Sequence, residues 1–258
     1  MKNRLSELDE RLDQVAYAKA NNLQGWLKFQ RKYEMCWIYH ENLLDGVSMS
    51  PEEVMAALSN EAITDVSQVS LFRRVRNYHA AINLIRERAA APHFVVDVPF
   101  FRELHAVLAN GLDTNLGRFR RNSPVHRAYY QDICAPSKVE KHLQDIVALV
   151  MSEEKRPTMH PVELAGRVHH QFMIAYPFSS WSGIVGRFFV NMLLMHSGRL
   201  PVVIHNHDRQ RYYQAVATSP ILVTRVLADA YENTLDNAYH HFVEPQEQKE
   251  RSGVSKVA

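Results

Sequence analysis

Fourteen histidines are spread through this chain of 258 residues, and they are the first place to look for chemistry. His169 and His170 are adjacent, so on a helix their side chains diverge by about 100° and cannot share one metal ion. His205-Asn206-His207-Asp208 sets two imidazoles and a carboxylate side by side, a conceivable metal corner. With no i, i+4 histidine pair or second cluster read beside it, the preferred reading is a surface loop whose Asp208 caps the next helix. His240-His241 suits a helix end, where the macrodipole favours cations. The chain has no His-Glu-x-x-His, no Cys-x-x-Cys, no Gly-x-Ser-x-Gly and no Gly-x-x-x-x-Gly-Lys. Cys36 and Cys134 are too few for a disulfide framework or, by themselves, a zinc site, and their apolar or aromatic neighbours predict buried free thiols.

The most unusual local sequence is Tyr176-Pro177-Phe178-Ser179-Ser180-Trp181-Ser182-Gly183-Ile184-Val185-Gly186-Arg187. It lies between two strongly helical segments. Pro177 ends the first and Ser182-Gly183 can open the second, so backbone N–H groups converge at a helix N-terminus, an anion site by construction. Taken alone, the same segment also reads as an ordinary helix–helix connection. Arg118, Arg120, Arg121 and Arg127 form the nearest thing to a basic cluster and read as a solvated face.

The elements that must position this loop are helices. Apolar residues at Leu5, Leu8, Leu12, Val15 and Ala16 predict a first helix from Leu5 to about Ala20, and a second fits Trp26–His40. Ser50 as N-cap, Pro51 at the first helical position and Glu53 reaching back predict a well-formed third helix start. Further helices are expected over Val69–Ala90, Val98–Asn110, Ser137–Ser152, Pro161–Ala175, Gly183–Ser197, Arg209–Thr218 and Ile221–His241. Arg118 to Ala135 lacks a helical period; Asn122-Ser123-Pro124 followed by spaced apolar residues at Val125, Ala128, Tyr130 and Ile133 predicts a short β-hairpin flap. The stretch from Glu244 is polar and aperiodic and reads as a frayed tail. The fold class is therefore all-α, with residues 1–60 as an N-terminal helical extension, 61–243 as the core domain and 244–258 as a polar tail.

The bulk numbers narrow the function. Hydrophobic residues make up 46%, enough for a sizeable core. Thirty Lys and Arg against 28 Asp and Glu give no footprint for a dedicated nucleic-acid binder. The N-terminus is charged throughout and lacks the apolar core of a signal peptide, and no apolar run approaches the roughly 20 residues that span a bilayer. A reduced, cytoplasmic setting is the expectation.

The loop and its flanks together resemble the Fic (Fido) domain family, whose members carry His-Pro-Phe-x-Asp-Gly-Asn-Gly-Arg-x-x-Arg between two core helices. Tyr176-Pro177-Phe178 and Gly186-Arg187 fit the two ends without a gap. Pro161-Val162-Glu163-Leu164-Ala165 with His169 and Phe172 is similar to the preceding helix. Asn191-Met192-Leu193-Leu194 with Gly198 and Pro201 is similar to the following helix and its exit. Asp208-Arg209 with Tyr212, Tyr213 and Ala215 resembles the next helix start, and Leu104-His105, Leu108, Gly117 and Arg120 the first core helix and flap entrance. The resemblance covers roughly residues 45–240. It implies a Fic-like helical bundle with a hairpin flap.

In active members the loop His is the general base toward a target hydroxyl. The Asp holds Mg²⁺ on the nucleotide, Gly-Asn-Gly and two arginines hold its phosphates, and the product is an AMP-modified protein. Carried over by position, the base is Tyr176, with a free pKa of about 10. Ser180 replaces the metal carboxylate, Trp181 a glycine, Ser182 the Asn and Ile184 the first Arg; Gly183, Gly186 and Arg187 persist. The resemblance thus leaves Ser182, Gly183, Gly186 and Arg187 as phosphate or nucleotide candidates, and implies no catalytic residue and no metal. Many members also carry an inhibitory helix, Ser/Thr-x-x-x-Glu-Gly, whose Glu pairs with the second loop Arg. Asp45-Gly46 aligns with its Glu-Gly and Glu41 with its Ser/Thr; a rival register with Glu41-Asn42 as the Glu-Gly/Asn pair matches the downstream residues less well. The expected function is a Fic-fold pseudoenzyme acting as a binding or regulatory module, with no cofactor and a protein partner, in a family where homodimers are common. The alternative is a divergent nucleotidyl- or phosphate-group transferase using ATP with Mg²⁺ and a base such as Tyr176, His169 or His170.

Overall fold

The computed structural model describes residues 2–59, 65–124, 133–154 and 158–248, and these are helical throughout their regular parts. Ten α-helices run in chain order as α1 (Lys2–Asn21), α2 (Leu23–Leu44), α3 (Pro51–Leu58), α4 (Val69–Ala90), α5 (Val98–Ala109), α6 (Val139–Met151), α7 (Pro161–Ala175), α8 (Ser182–His196), α9 (Arg209–Thr218) and α10 (Pro220–Ala238). A π-helical turn, Tyr239–Val243, extends α10. Residues 244–248 are helical rather than frayed.

Local sequence explains many of the boundaries. Ser50 and Glu53 close a capping box, side chain to backbone in both directions, and Pro51 follows as the first helical residue. Asp97 caps Phe100 N at the start of α5, and Ser219 caps Leu222 N before Pro220 opens α10. Gly46, at φ 81°, turns the chain out of α2, with Val47 N donating to the Asn42 carbonyl at 2.9 Å. Asp208 stands at the N-cap of α9 but makes no capping bond, against expectation. Its backbone already turns in a short 3₁₀ segment, and its carboxylate faces His207 at 3.2 Å and Arg211 at 3.8 Å.

The core is organised around α8. Ile184, Val185, Phe188, Phe189, Val190, Met192 and Leu194 are all buried, so this helix is apolar nearly all round, the pattern of a central element. It packs against α4, α5 and α7, and α7 crosses α10 closely. A Cβ at Gly166 would stand 2.3 Å from Thr224 Oγ1, so glycine sets that approach. The N-terminal helix lies on α10 through ion pairs of Arg4 with Asp229 and Glu232, and of Arg11 with Asp236. Among the described residues of 118–135 there is no strand; most of the segment expected to form the hairpin, 125–132, including Arg127, lies outside them. No helix among the described residues is long and apolar enough to cross a membrane.

Candidate functional site

The loop between α7 and α8 begins with a strained residue. Tyr176 is the C-cap of α7 at φ 38°, ψ 63°, a left-handed conformation that a non-glycine residue adopts at a cost of about 1–2 kcal/mol. Arg120 holds it there. Its Nε donates to the Tyr176 carbonyl at 2.7 Å, and its Nη2 reaches the carbonyls of Ala175 and Cys134, so one buried guanidinium satisfies the exposed end of α7. Arg120 N also donates to the Pro177 carbonyl at 2.8 Å. This arginine is 3% exposed, so the reading of the basic run as a solvated face fails at Arg120, which is a loop anchor.

His105 is a second anchor. Its ring stacks on Phe178 at 4.0 Å and 19°, its Nδ1 accepts from Gly117 N at 3.0 Å, and it bonds the Ser180 backbone. Burial holds its pKa down at about 4, so the ring is neutral at neutral pH. The loop is thereby tied to α5 and to the chain after α5.

Several positions of the loop are committed elsewhere. Ser180 Oγ donates to Asp113 Oδ2 at 3.1 Å. Trp181, at φ 69°, occupies the N-cap of α8 without a side-chain capping bond. Its indole carries the Arg74 guanidinium over its face at 4.4 Å and meets Tyr78 edge-on at 6.4 Å. Ser182 Oγ accepts from Phe178 N at 2.8 Å and donates to the Phe178 carbonyl at 2.9 Å. Its proton is used inside the loop, and the residue is 1% exposed, which places it in the scaffold instead of at an anion. Gly186 faces α7: a Cβ there would come within 2.9 Å of Phe172 and 3.1 Å of His169, so it is a packing glycine. Gly183 lies beside Arg187, whose Nη1 would be 3.2 Å from an added Cβ.

Arg187 points inward. Its Nε donates to Glu41 Oε1 at 3.1 Å and Oε2 at 2.8 Å, its Nη2 lies 2.8 Å from Oε2, and its Nη1 donates to Tyr212 Oη at 3.2 Å. The two charged groups are 4% and 3% exposed. Desolvation opposes the Arg187 charge, but the Glu41 carboxylate outweighs it and holds the pKa well above the ordinary arginine value. Tyr212 Oη in turn meets His169 Nε2 at 2.8 Å, and burial plus the Arg187 charge drive that imidazole to about 3. His169 is thus a neutral residue of the core.

The expected partner of Arg187 is corrected by these contacts. Asp45 forms an ion pair with Arg74 at the C-terminal end of α2 and does not meet Arg187; the carboxylate that does is that of Glu41, one helical turn earlier, followed by the fully buried Asn42. Residue 41 faces the core from inside α2, while residue 45 is already at its cap, so only the former reaches Arg187. Sequence reasoning missed the anchoring roles of Arg120, His105 and Tyr212. Each had been placed in a helix or loop pattern, but nothing local reports which distant carbonyl or ring it meets.

Comparison with known proteins agrees with this architecture. Residues 95–194 match the model of the Fic/DOC family. Protein adenylyltransferase fic-1 of Caenorhabditis elegans is 24% identical over 191 residues, which is 73% of this chain and 37% of the relative. Protein adenylyltransferase Fic of Culex quinquefasciatus is 24% identical over 247 residues, 90% of this chain and 47% of the relative. The chain therefore spans less than half the length of these curated relatives. Among solved structures, a Fic domain-containing signalling protein from Bacteroides thetaiotaomicron superposes with a TM-score of 0.80 at 17% identity, covering 92% of this chain and 96% of that one. A fragment of C. elegans Fic-1 gives 0.80 at 22% identity, covering 93% and 72%.

Proposed function

Because the chain carries a Fic/DOC-family domain over residues 95–194 within a Fic fold, we propose that it is a binding or regulatory module that has lost the AMP transfer named for its relatives. The observation that carries this reading is the loop itself, with a phenol, Tyr176, and a hydroxyl, Ser180, where the motif has its base and metal carboxylate; Arg187, the last charged residue of the motif, is in addition held by the buried carboxylate of Glu41. A phosphate would have to displace that carboxylate and leave it buried and unpaired, a loss of roughly 3–5 kcal/mol. The remaining donor set does not fit Mg²⁺ on a nucleotide. A neutral hydroxyl, Ser180, stands where a hard cation needs a carboxylate, and the Ser182 hydroxyl is turned into the loop. Tyr176 at the base position is a phenol, mostly protonated at neutral pH by its ordinary value of about 10. Loss of a general base alone costs about 10²–10⁴-fold in rate. The partner of such a module is a protein, as the targets of the relatives' adenylyl transfer imply.

One observation favours a second reading, a divergent transferase. Asp113 Oδ2 accepts the Ser180 hydroxyl, so a carboxylate does stand beside the vacated metal-ligand position, supplied from the chain after α5. Incubation of the purified protein and host lysate with α-³²P-labelled ATP and Mg²⁺ separates the two. The module reading expects no label on the chain itself or on any lysate protein above that seen with heat-denatured protein. Label transferred in a manner abolished by Asp113→Asn would establish the transferase instead.

A further inference from the structure

Outside the loop, three potential metal ligands converge beside the C-terminal half of α2. Cys36 and His40 stand one helical turn apart on that helix, and His205 arrives from the segment leading into α9. One ligand atom from each of the three lies within 4.8 Å of the other two. We propose that Cys36, His40 and His205 form a zinc site, with solvent as the fourth ligand. A tetrahedral zinc with bonds of about 2.0–2.1 Å to nitrogen and 2.3 Å to sulfur separates its ligands by roughly 3.3–3.7 Å, so closure asks for side-chain shifts of about an ångström.

The chemistry of the three groups suits that ion. One thiolate and two imidazoles form a borderline-soft set that selects zinc over magnesium or calcium. The two rings are stacked at 4.3 Å and 6°, and Asn206 N donates to His40 Nδ1 at 3.3 Å, so closure on an ion asks one ring to rotate out of the stack and His40 to ligate through Nε2 or to give up that bond. All three residues are half-buried, so the ion can enter from solvent. His207 lies edge-on to His205 at 5.4 Å, at the rim, and faces Asp208.

The site would also do structural work. It joins the C-terminal half of α2, next to Glu41, to the segment that leads into Arg209, Tyr212 and Tyr213. Arg209 and Tyr213 already bond the Leu44 carbonyl at the end of α2. Zinc would staple the helix that carries Glu41 to the helix that carries Tyr212.

The test is a Co²⁺ titration of tag-free, reduced protein followed by competition with Zn²⁺. Expected are one equivalent of Co²⁺, a thiolate-to-cobalt charge-transfer band, and visible bands of tetrahedral intensity that Zn²⁺ bleaches. Cys36→Ser should abolish the charge-transfer band, and His205→Gln should weaken binding at least tenfold, while Cys134→Ser leaves both unchanged. Zn²⁺ should raise the thermal midpoint of the wild type and not that of Cys36→Ser. Absence of a charge-transfer band in folded wild-type protein would overturn the proposal, as would a band lost in Cys134→Ser but kept in Cys36→Ser.

Discussion

Glu41 and Arg187 lie 146 positions apart in the chain and meet as a buried ion pair in which Arg187 Nε contacts both carboxylate oxygens. The pair joins α2 to the first turns of α8. It is closed on the other side by Tyr212, so the guanidinium has a carboxylate and a phenol as its neighbours where the relatives' motif is read as holding phosphate.

Removing one partner of this pair exposes the cost of an uncompensated buried charge. Glu41→Ala should lower unfolding stability by about 3–5 kcal/mol. Replacing both partners with apolar residues of similar volume, Glu41→Leu with Arg187→Met, should recover most of that loss. Urea denaturation of the two single variants and the double variant measures the cycle. A loss under 1 kcal/mol for Glu41→Ala would contradict the geometry.

Asp45 should behave differently. Its carboxylate is 37% exposed and pairs with Arg74 at a helix end. Asp45→Asn should therefore cost about 0–1 kcal/mol, and less at high salt. Parallel urea curves in low and high salt check this, and a cost equal to that of Glu41→Ala would restore Asp45 to the glutamate's role.

Acid should loosen the loop through its histidines. His105 sits at about 4 and His169 at about 3 in the folded protein, against about 6.5 in an unfolded chain. Between these values the unfolded state binds protons that the folded state refuses, so stability falls as pH falls from about 6.5 toward 4, by up to about 1.4 kcal/mol per unit for each ring. His105→Gln should lower stability at pH 7 but flatten this slope. Denaturation midpoints from pH 7 to pH 4 decide; an unchanged slope would mean that His105 binds its proton alike in the folded and unfolded states.

Much of the scaffold is legible in the sequence. The helices Val69–Ala90, Pro161–Ala175 and Arg209–Thr218 and the Ser50–Glu53 capping box are specified by periodicity and caps within a few residues, and they fall where expected. The Fic-like arrangement followed from the order and spacing of its motifs. What could not be read was pairing over distance. Arg120 looks like part of a charged run because its carbonyl acceptors, Tyr176 and Ala175, are more than fifty residues away. The choice between Glu41 and Asp45 turned on which turn of α2 faces α8. The Cys36, His40 and His205 cluster was invisible to a search for paired histidines, because its i, i+4 pair mixes a thiol with an imidazole.

Trp181 offers a check on whether one bulky residue is the obstacle. Trp181→Gly relieves a positive φ of 69° and removes the platform under Arg74. It should not confer label transfer from α-labelled ATP, since Tyr176 and Ser180 remain at the base and metal-ligand positions. Transfer by this single variant above the wild-type background would show that the rest of the site is competent.

The most direct measurement is calorimetric titration of Mg-ATP into the wild-type protein and into Glu41→Ala, with circular dichroism confirming that the variant is folded. If the site is disarmed, neither protein binds, because freeing Arg187 does not replace the missing metal ligand or the hydroxyl locked at Ser182. Micromolar, magnesium-dependent binding by either protein, above all binding that appears only when Glu41 is removed, would contradict the account and show a nucleotide site that Glu41 restrains.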